Sequence, residues 1–357
     1  MLSYLAVKNF KSFESQVLEL GNLTVLTGLN NTGKSTAIQA LRMCLSEHDT
    51  GAPYISGLGG YAELRSRQAG VSDEIEIGIL SDDDHQILLS ISKNSSKLIG
   101  KDRVPLTQFI SADRFGPRVG LPTLGDDIAS LAIGQNGEYS AHFATLMEGC
   151  IIPEELRHPD AQGNTLKAQL NWWMSDIAPG VKLDYGVQEK FDLSHLSIDG
   201  VRPTNSGYGI SYALPIVLGL LTMPAKMVDD SDPRVVRWFQ RIADSGACLI
   251  LENPEAHLHP RGQTGLGILA AMAAFAGVQV IIETHSDHLL DGIRLAVKAN
   301  ENIIAEKIKI YFFTKKINEA TVAEQVALKP DGKLDRWPEG FFDQHSKNLR
   351  VLASGRV

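Results

Sequence analysis

Hydrophobic and polar residues follow two rhythms along the chain. Short runs without a charge occur at Leu23–Leu26, Ala247–Leu251 and Val278–Ile282, and they predict buried strands. Alternation at period two occurs in four other segments, at 4–10, 17–20, 74–80 and 85–91. Such alternation predicts antiparallel strands with one covered face. Together the two patterns favour an α/β protein with a mixed sheet core and an antiparallel β subdomain.

Helical patterns occupy most of the remaining segments. We predict helices at 36–42, 165–177, 209–221, 232–243, 265–275 and 287–299. The third is interrupted by Pro215, which lacks a backbone N–H. Further strands are predicted at 107–112, 307–314 and 320–327, and alternation returns over 181–198. The less regular stretch 119–200 is interpreted as a mostly helical lobe inserted between two halves of one core.

The first apolar run leads into a sequence typical of a phosphate-binding loop. The segment from Gly28 to Ser35, GLNNTGKS, fits G-x-x-x-x-G-K-[ST] and lies between a predicted strand and a predicted helix. Gly28 and Gly33 allow backbone N–H groups to turn toward a triphosphate, Lys34 adds positive charge, and Ser35 can hold Mg²⁺. The alternative, a chance match in a glycine-rich turn, does not explain these flanks. The predicted ATP ligands are Gly28, Asn30, Asn31, Thr32, Gly33, Lys34, Ser35 and Thr36.

Two later strands end in polar residues that suit the same site. The run Ala247–Leu251 is followed by Glu252, the arrangement of a Walker B acid beside Mg²⁺. The run Val278–Ile282 precedes His285 by a few residues, which would place this histidine near the γ-phosphate. A single strand-end histidine is usually structural, but its position one helix after a Walker B strand favours the functional interpretation.

A second loop of small residues precedes the helix predicted at 209–221. Asn205-Ser206-Gly207-Tyr208-Gly209 can be read as a simple N-cap and turn. It can also be read as an anion site at a helix N-terminus, contacting the γ-phosphate of a nucleotide on another subunit. Its position between P-loop and Walker B strand is typical of the signature motif of the ABC class.

Composition limits the remaining functions. The 357 residues are 43% hydrophobic and 21% charged, with a net charge of −8, which excludes a globally basic nucleic-acid binder. A local basic surface from Lys8, Lys11, Arg114 and Arg118 remains a hypothesis, with scattered solvated charges as its alternative. Three distant cysteines, the absence of a signal-peptide pattern and the absence of long apolar runs favour a cytoplasmic protein without a membrane segment.

The motifs taken together resemble a known branch of ATPases. The P-loop, SGYGIS, LILENPEAHLHP and IIETHSD, in this order, resemble the SMC/RecF/OLD branch of ABC-type ATPases, and the opening LAVKNFKSFES is similar to that branch. The segments SADRFGPR, GQNGEYSAHF and DGKLDRWPEGFFDQ resemble a bacterial subfamily of AAA-annotated ATPases. Its members carry a short C-terminal domain of unknown function with a WPEGFFD-type motif.

This resemblance implies a fold, a partner and residue roles. It implies a P-loop ATPase head that dimerises head to tail around two ATP molecules. Glu252 and His285 would then be the Walker B acid and the switch histidine. The signature would comprise Ser206, Gly207 and Gly209. Gln135 would be the Q-loop glutamine, with an ordinary exposed loop residue as the alternative.

Two departures from the branch change the expected activity. Asn253 stands where ABC ATPases carry the glutamate that positions the attacking water, and an amide cannot accept the proton. Glu255 is a substitute candidate. The chain also lacks the long coiled coils of SMC proteins and the nuclease domain of OLD nucleases. We therefore expect slow hydrolysis and no DNA cleavage by the chain alone.

The resulting hypothesis is an ATPase that controls a partner protein. ATP-dependent dimerisation would control a separate effector protein, such as a nuclease, in phage defence or DNA maintenance, with DNA a further candidate partner. The alternative is a nucleotide-locked scaffold with negligible turnover. The expected division is a first core lobe at 1–118, the inserted lobe at 119–200, a second core lobe at 201–318 and a family-specific segment at 319–357.

Overall fold

A computed structural model describes residues 1–45, 54–228 and 232–354, without the side chains of 344–346. The last three residues of the predicted segment 319–357 lie outside this description. The nine α-helices of the described residues are α1 (Lys34–Leu45), α2 (Tyr61–Leu64), α3 (Ser140–Met147), α4 (Leu166–Ile177), α5 (Tyr208–Thr222), α6 (Pro233–Ser245), α7 (Pro260–Phe275), α8 (Asp287–Ala299) and α9 (Gln344–Ser354). Short 3₁₀ turns occur at Lys101–Arg103, Glu154–Leu156, Glu189–Phe191, Pro203–Asn205 and Ala305–Lys307.

A six-stranded sheet lies at the centre. Its spatial order is β14 (Val322–Val326), β13 (Ile308–Thr314), β3 (Leu23–Gly28), β12 (Gln279–Glu283), β11 (Ala247–Glu252) and β7 (Leu106–Ile110). Neighbouring strands are parallel except for the antiparallel pair of β13 and β14. The carboxyl ends of β3, β12 and β11 therefore meet at one edge of the sheet, which is where ligands bind in open α/β sheets.

Two further sheets are antiparallel. The larger has the order β2 (Phe13–Glu19), β1 (Leu2–Phe10), β4 (Ile75–Ser81), β5 (Gln86–Ile91) and β6 (Ser96–Ile99). The smaller has the order β8 (Leu121–Pro122), β10 (Leu193–Ile198) and β9 (Leu183–Gln188) and occurs in the stretch 119–200 together with α3 and α4. The predicted fold class, with a mixed sheet and an antiparallel β subdomain, is confirmed.

The central sheet is covered on both faces, which explains its uninterrupted apolar strands. Leu249 and Leu251 of β11 belong to the core shared with α4, α5, α7 and α8. Cys248 and Ile250 of the same strand belong to the core shared with α1 and the larger antiparallel sheet. The P-loop helix α1 is thus held between two sheets. All three cysteines are buried and unbridged, and no described helix is long and apolar enough to cross a membrane.

One helix differs from the sequence expectation. The predicted interruption at Pro215 does not occur, because α5 runs without a break from Tyr208 to Thr222. From Ala213 onward every residue of α5 is buried, so tertiary packing retains the helix despite one lost backbone bond. Gly137 provides room for the proline ring, since a Cβ there would lie 2.8 Å from Pro215 Cγ.

Candidate nucleotide-binding site

The P-loop connects the carboxyl end of β3 to the start of α1. Gly28 and Gly33 have φ angles of 141° and 103°, which residues with side chains rarely adopt. A Cβ on Gly28 would lie 2.4 Å from the carbonyl oxygen of Phe313. A Cβ on Gly33 would lie 2.7 Å from Ser12 Oγ and 2.8 Å from Thr321 Oγ1. Both glycines are therefore required by the backbone and by neighbouring segments.

Lys34 is enclosed by the loop itself. Its Nζ donates to the carbonyl oxygens of Gly28 and Leu29 at 3.0 and 2.8 Å, and the side chain is only 3% exposed. Burial lowers the pKa of Lys34, while the Glu283 carboxylate, 3.9 Å from Nζ, opposes this shift. Because an ammonium has three donors, Lys34 can meet a phosphate without giving up its contacts to the loop.

The other predicted P-loop ligands fall into two groups. Asn30 and Asn31 are exposed at the tip, and Asn31 has a left-handed φ of 63°. Thr32 and Thr36 are buried. The Thr32 hydroxyl donates to the carbonyl oxygen of Leu29 at 2.7 Å. Thr32 therefore stabilises the loop, whereas the two asparagines are accessible to a ligand.

Ser35 contacts a carboxylate that the sequence interpretation did not assign to the site. Its Oγ donates to Glu283, at 3.1 Å from Oε1 and 3.0 Å from Oε2. Glu283 is 5% exposed, and burial raises its pKa to about 7, although Lys34 and Ser35 oppose that shift. The missed signal is the position of Glu283 at the carboxyl end of the strand that follows the Walker B strand.

Glu252 lies beside Glu283 on the next strand, and the two residues are directly paired in the β11–β12 register. Burial raises the pKa of Glu252, while the Ala112 amide that hydrogen-bonds it and the cations Arg42 and Arg114 oppose the shift. Two acidic side chains therefore reach the same edge of the sheet, each in a different polar environment.

The turn after β11 is held by backbone contacts. Asn253 has a left-handed φ of 43°, and its N–H donates to the carbonyl oxygen of Glu283 at 2.9 Å.

Glu255 is 9% exposed, and its Oε1 accepts the N–H of His285 at 2.8 Å. Its Oε2 has no hydrogen-bond partner among the described residues, and burial raises the pKa of this carboxyl. Glu255 is thus a buried acceptor with one unused oxygen.

His285 is exposed at the end of this group of residues. Partial burial of the ring lowers the pKa of His285, and repulsion from Lys34 lowers it further. The neutral imidazole is favoured, and the position of His285 near a terminal phosphate stays a prediction.

Arg114 requires a correction. The sequence hypothesis included it in a basic surface for DNA, but the side chain is only 2% exposed. Its guanidinium donates to the carbonyl oxygens of Glu252 at 2.9 Å and Asn253 at 2.8 Å. Among the other cations of that hypothesis, Lys8 is paired with Glu76 at 2.9 Å. Arg114 therefore supports the turn after β11 and is inaccessible to DNA.

Gln135 lies near the end of β7. It is exposed, its backbone oxygen accepts the N–H of Ser111 at 2.7 Å, and its Oε1 accepts from Arg42 Nη2 at 3.3 Å. Arg42 in turn interacts electrostatically with Glu252. The structure thus connects Gln135 to the site through Arg42, and its role as Q-loop glutamine stays a prediction.

The predicted signature loop packs on the turn after β11. Gly207 is the N-cap of α5, and Gly207 and Tyr208 are exposed. The Tyr208 ring contacts the His257 ring at a centroid distance of 5.5 Å. A Cβ on Gly209 would lie 2.8 Å from the carbonyl oxygen of His257. Ser206 is half-buried at the start of this helix.

The donor set fits ATP with Mg²⁺. The buried amino group of Lys34 lies against the P-loop backbone. Ser35 and two glutamates supply oxygens of the kind Mg²⁺ prefers. Among the described residues, no group of three or more His, Cys, Asp and Glu side chains could hold a metal ion. A cation here would therefore need nucleotide oxygens and water to complete its shell.

These elements form the fold that the sequence resemblance predicts. A P-loop on the central strand β3, one strand between it and β11, and a mixed sheet with an antiparallel β subdomain are the arrangement expected of an ABC-type ATPase head. Family models agree: an AAA-domain model matches residues 4–127. A second AAA-domain model, whose description names the AbiEii toxin of a type IV toxin–antitoxin system, matches residues 156–291. A protein family of unknown function, DUF3696, matches residues 303–352.

Comparison with solved structures found similar head domains. An SMC head bound to the C-terminal winged-helix domain of ScpA is 14% identical, with a TM-score of 0.52, covering 92% of this chain and 98% of that one. A Pyrococcus furiosus SMC head with an extended coiled coil, bound to the C-terminal domain of ScpA, is 11% identical, with a TM-score of 0.48 and 99% coverage of both chains. The recombination mediator RecF is 13% identical, with a TM-score of 0.43, covering 92% of this chain and 98% of that one. The fold assignment rests on the first of these.

No curated protein matches the sequence. The family models and the first structural match nevertheless confirm the predicted resemblance. By fold the chain is similar to SMC head domains, and its residues 303–352 match the predicted C-terminal domain of unknown function.

Proposed function

We propose that this chain binds ATP with Mg²⁺, hydrolyses it slowly, and is joined to a second copy head to tail by the bound nucleotide. The observation that carries the proposal is the convergence of three groups at the mouth of the P-loop. These groups are the Lys34 ammonium, the Ser35 hydroxyl and the Glu283 carboxylate. When bound, Mg²⁺ would neutralise charge on the β- and γ-phosphates.

The residues of the P-loop would hold the triphosphate. The loop N–H groups and the N-terminus of α1 favour an anion at this position. Lys34 has one donor left for the γ-phosphate, and Ser35 would hold Mg²⁺ with the acid Glu252 nearby. His285 would contact the terminal phosphate as a neutral ring. Asn30 and Asn31 are accessible at the rim for contacts to the nucleotide.

Slow turnover follows from the turn after β11. Asn253 can orient a water molecule but cannot accept its proton, and loss of a general base typically costs about 10²–10⁴ in rate. Glu255 is the substitute candidate, because it follows Asn253 by two residues and its Oε2 has no hydrogen-bond partner among the described residues. Burial also raises the pKa of this carboxyl. Glu255 Oε1 is meanwhile held by the N–H of His285.

Dimerisation follows from the signature loop. Ser206, Gly207 and Gly209 lie at the N-terminus of α5, a helix end that favours an anion. The loop packs on His257 and presents Gly207 and Tyr208 to solvent. We propose that it contacts the γ-phosphate bound to a second copy, so that two chains enclose two ATP molecules.

The dimer would control a separate effector protein. One SMC head of similar fold was solved with the C-terminal winged-helix domain of ScpA, which shows that a head of this fold can carry a protein partner. We propose a phage-defence or DNA-maintenance setting, a nuclease as one candidate effector, and DNA as a further candidate partner.

A second candidate function rests on one residue. Because Asn253 replaces the usual glutamate, the ATP-bound dimer would be a long-lived scaffold if Glu255 does not act as base. The two candidates share the binding site and differ only in turnover.

Single-turnover hydrolysis separates the candidates. We expect the unmodified protein to turn over well below the usual range of about 1–10³ s⁻¹. If Glu255 is the base, Glu255→Gln abolishes hydrolysis and Asn253→Glu changes little; otherwise Asn253→Glu accelerates hydrolysis. Asn94→Glu, on an exposed turn, and Glu306→Gln are matched controls. Fast turnover in the unmodified protein, together with an unaffected Glu255→Gln variant, would overturn both versions.

A further inference from the structure

Glu283 occupies a position that brings it closer to the P-loop than the predicted Walker B acid. β12 is the immediate neighbour of the P-loop strand β3, whereas β11 lies one strand further away. In the strand register Glu283 is paired with Leu26 of β3 on one side and with Glu252 of β11 on the other. Neighbouring strands are about 4.8 Å apart, so Glu283 lies one such step nearer to Ser35.

The contacts of the two acids differ accordingly. Glu283 accepts the Ser35 hydroxyl with both oxygens, at 3.0 and 3.1 Å. Glu252 instead accepts the backbone N–H of Ala112 and interacts with Arg42 and Arg114. The residue that contacts the predicted Mg²⁺ ligand is therefore the acid on β12.

This contact determines how Ser35 presents its oxygen. A serine hydroxyl has one proton and two lone pairs. When the proton is donated to Glu283, the lone pairs of the Ser35 oxygen remain for a cation. Groups that orient a metal ligand in this way typically contribute about 10–100-fold to metal affinity.

We propose that Glu283 is a positioning residue of the Mg²⁺ site, which holds the Ser35 hydroxyl in the orientation that binds Mg²⁺ with ATP. The inference rests on the proposed ATP-binding function and adds a residue to it. A purely structural role is the competing explanation, in which Glu283 only balances the buried charge of Lys34, 3.9 Å away.

The test compares ATP affinity with and without the cation. The dissociation constant of a fluorescent ATP analogue is measured in Mg²⁺ and in EDTA for the unmodified protein, Glu283→Ala and Glu283→Gln. For Glu283→Ala we expect the Mg²⁺-induced tightening to fall by about tenfold or more, with the affinity in EDTA unchanged or higher. Glu283→Gln should recover part of the tightening, because its amide oxygen can still accept the Ser35 proton.

Controls separate this inference from the function on which it rests. Glu306→Ala removes an exposed glutamate and should behave as the unmodified protein. If Mg²⁺ tightens ATP binding to Glu283→Ala as much as to the unmodified protein, the inference is wrong while ATP binding is intact. The inference is also wrong if Glu283→Ala loses the same factor of affinity in Mg²⁺ and in EDTA. If Glu283→Ala fails to fold, Glu283→Gln is the test. We expect this variant to lose part of the Mg²⁺-induced increase in ATP affinity, so an unchanged or an abolished increase would contradict the inference. Absence of any analogue binding to the unmodified protein would instead refute the proposed function.

Discussion

The P-loop and the signature loop are both glycine-containing turns that lead into a helix, yet their surroundings differ. In the P-loop, Lys34 is 3% exposed and is bonded to the carbonyl oxygens of its own loop. In the signature loop, Gly207 is exposed, and apart from its own chain neighbours no described atom lies within 4 Å of the position where its Cβ would be. The first loop is complete within one chain, whereas the second leaves an open surface.

The glycines show what this difference means. Gly33 is required by the chain itself, because a Cβ would meet Ser12 and Thr321. Gly207 has an ordinary φ of −67° and open space, so the chain itself does not require a glycine there. A ligand that approaches this backbone closely would explain it. Gly33 is therefore fixed by intramolecular packing, whereas Gly207 leaves room for the second molecule that we propose.

The largest expected effect is the loss of ATP binding on removal of the P-loop cation. Lys34→Ala should weaken ATP by at least about 100-fold, which corresponds to about 2.7 kcal/mol, because the charge facing the phosphates is lost. Isothermal titration calorimetry measures this, and an unchanged thermal melt confirms the fold. Lys8→Ala, which removes a surface lysine paired with Glu76, is the control. Unchanged affinity in the Lys34 variant would show that the P-loop assignment is wrong.

The next largest effect is expected on ATP-induced dimerisation, from a substitution in the signature loop. Ser206→Arg should leave ATP binding to the monomer unchanged, yet shift ATP-induced dimerisation to at least about tenfold higher protein concentration, or about 1.4 kcal/mol. Light scattering with and without ATP measures this. Asn94→Arg adds the same charge on an exposed turn and should dimerise normally. Unimpaired dimers of the Ser206 variant would exclude the contact in trans.

Two neighbouring glycines should separate stability from association. Gly209→Ala should cost about 1–2 kcal/mol of unfolding free energy, because the new Cβ would lie 2.8 Å from the carbonyl oxygen of His257. Gly207→Ala should change the unfolding free energy by less than about 0.5 kcal/mol, since the loss at the N-cap is offset by the lower entropy of the unfolded chain. It should nevertheless weaken ATP-induced dimers. Chemical denaturation and light scattering check the two parts, and equal stability losses would contradict the proposed difference between these two glycines.

The smallest expected effect is a pH dependence from the enclosed loop. The pKa of Glu283 is raised from 4.5 to about 7 in the fold, so the folded state without nucleotide holds a proton that the unfolded chain releases. The contribution of this proton to the free energy of unfolding is complete below 4.5, the pKa of Glu283 in the unfolded chain, and is lost as pH rises through about 7. Between pH 6 and pH 8 the loss should be about 1 kcal/mol. Denaturant titrations at both pH values measure it, and Glu283→Gln should abolish the slope; an unaltered slope in that variant would assign the effect to another group.

Much of the site was accessible from the sequence, because the P-loop is a local feature. Its glycines, lysine and serine lie within eight consecutive residues, and the strand and helix beside them follow from local patterns. Glu252 and His285 could be placed because each follows a recognisable apolar strand. The assigned roles of these residues, and the division at residues 118, 200 and 318, stay predictions.

Residues whose position depends on strand order were missed or misassigned. Arg114 was interpreted as a surface cation because its charge suggests exposure, but the carbonyl oxygens of Glu252 and Asn253 provide buried partners. Glu283 was not assigned to the site, since the sequence does not state that β12 adjoins β3. Pro215 was expected to break a helix that burial retains.

The sequence by itself determined the class of fold and the phosphate-binding loop, because both follow from patterns over short stretches of chain. Only the tertiary structure decided which acid contacts Ser35, which arginine is buried and which glycine is required by contacts with other segments of the chain. Those outcomes depend on contacts between residues far apart in the chain, such as the 248 positions that separate Ser35 from Glu283. Parallel strands must be joined by long connections, so the order in which they pack cannot be read from local periodicity.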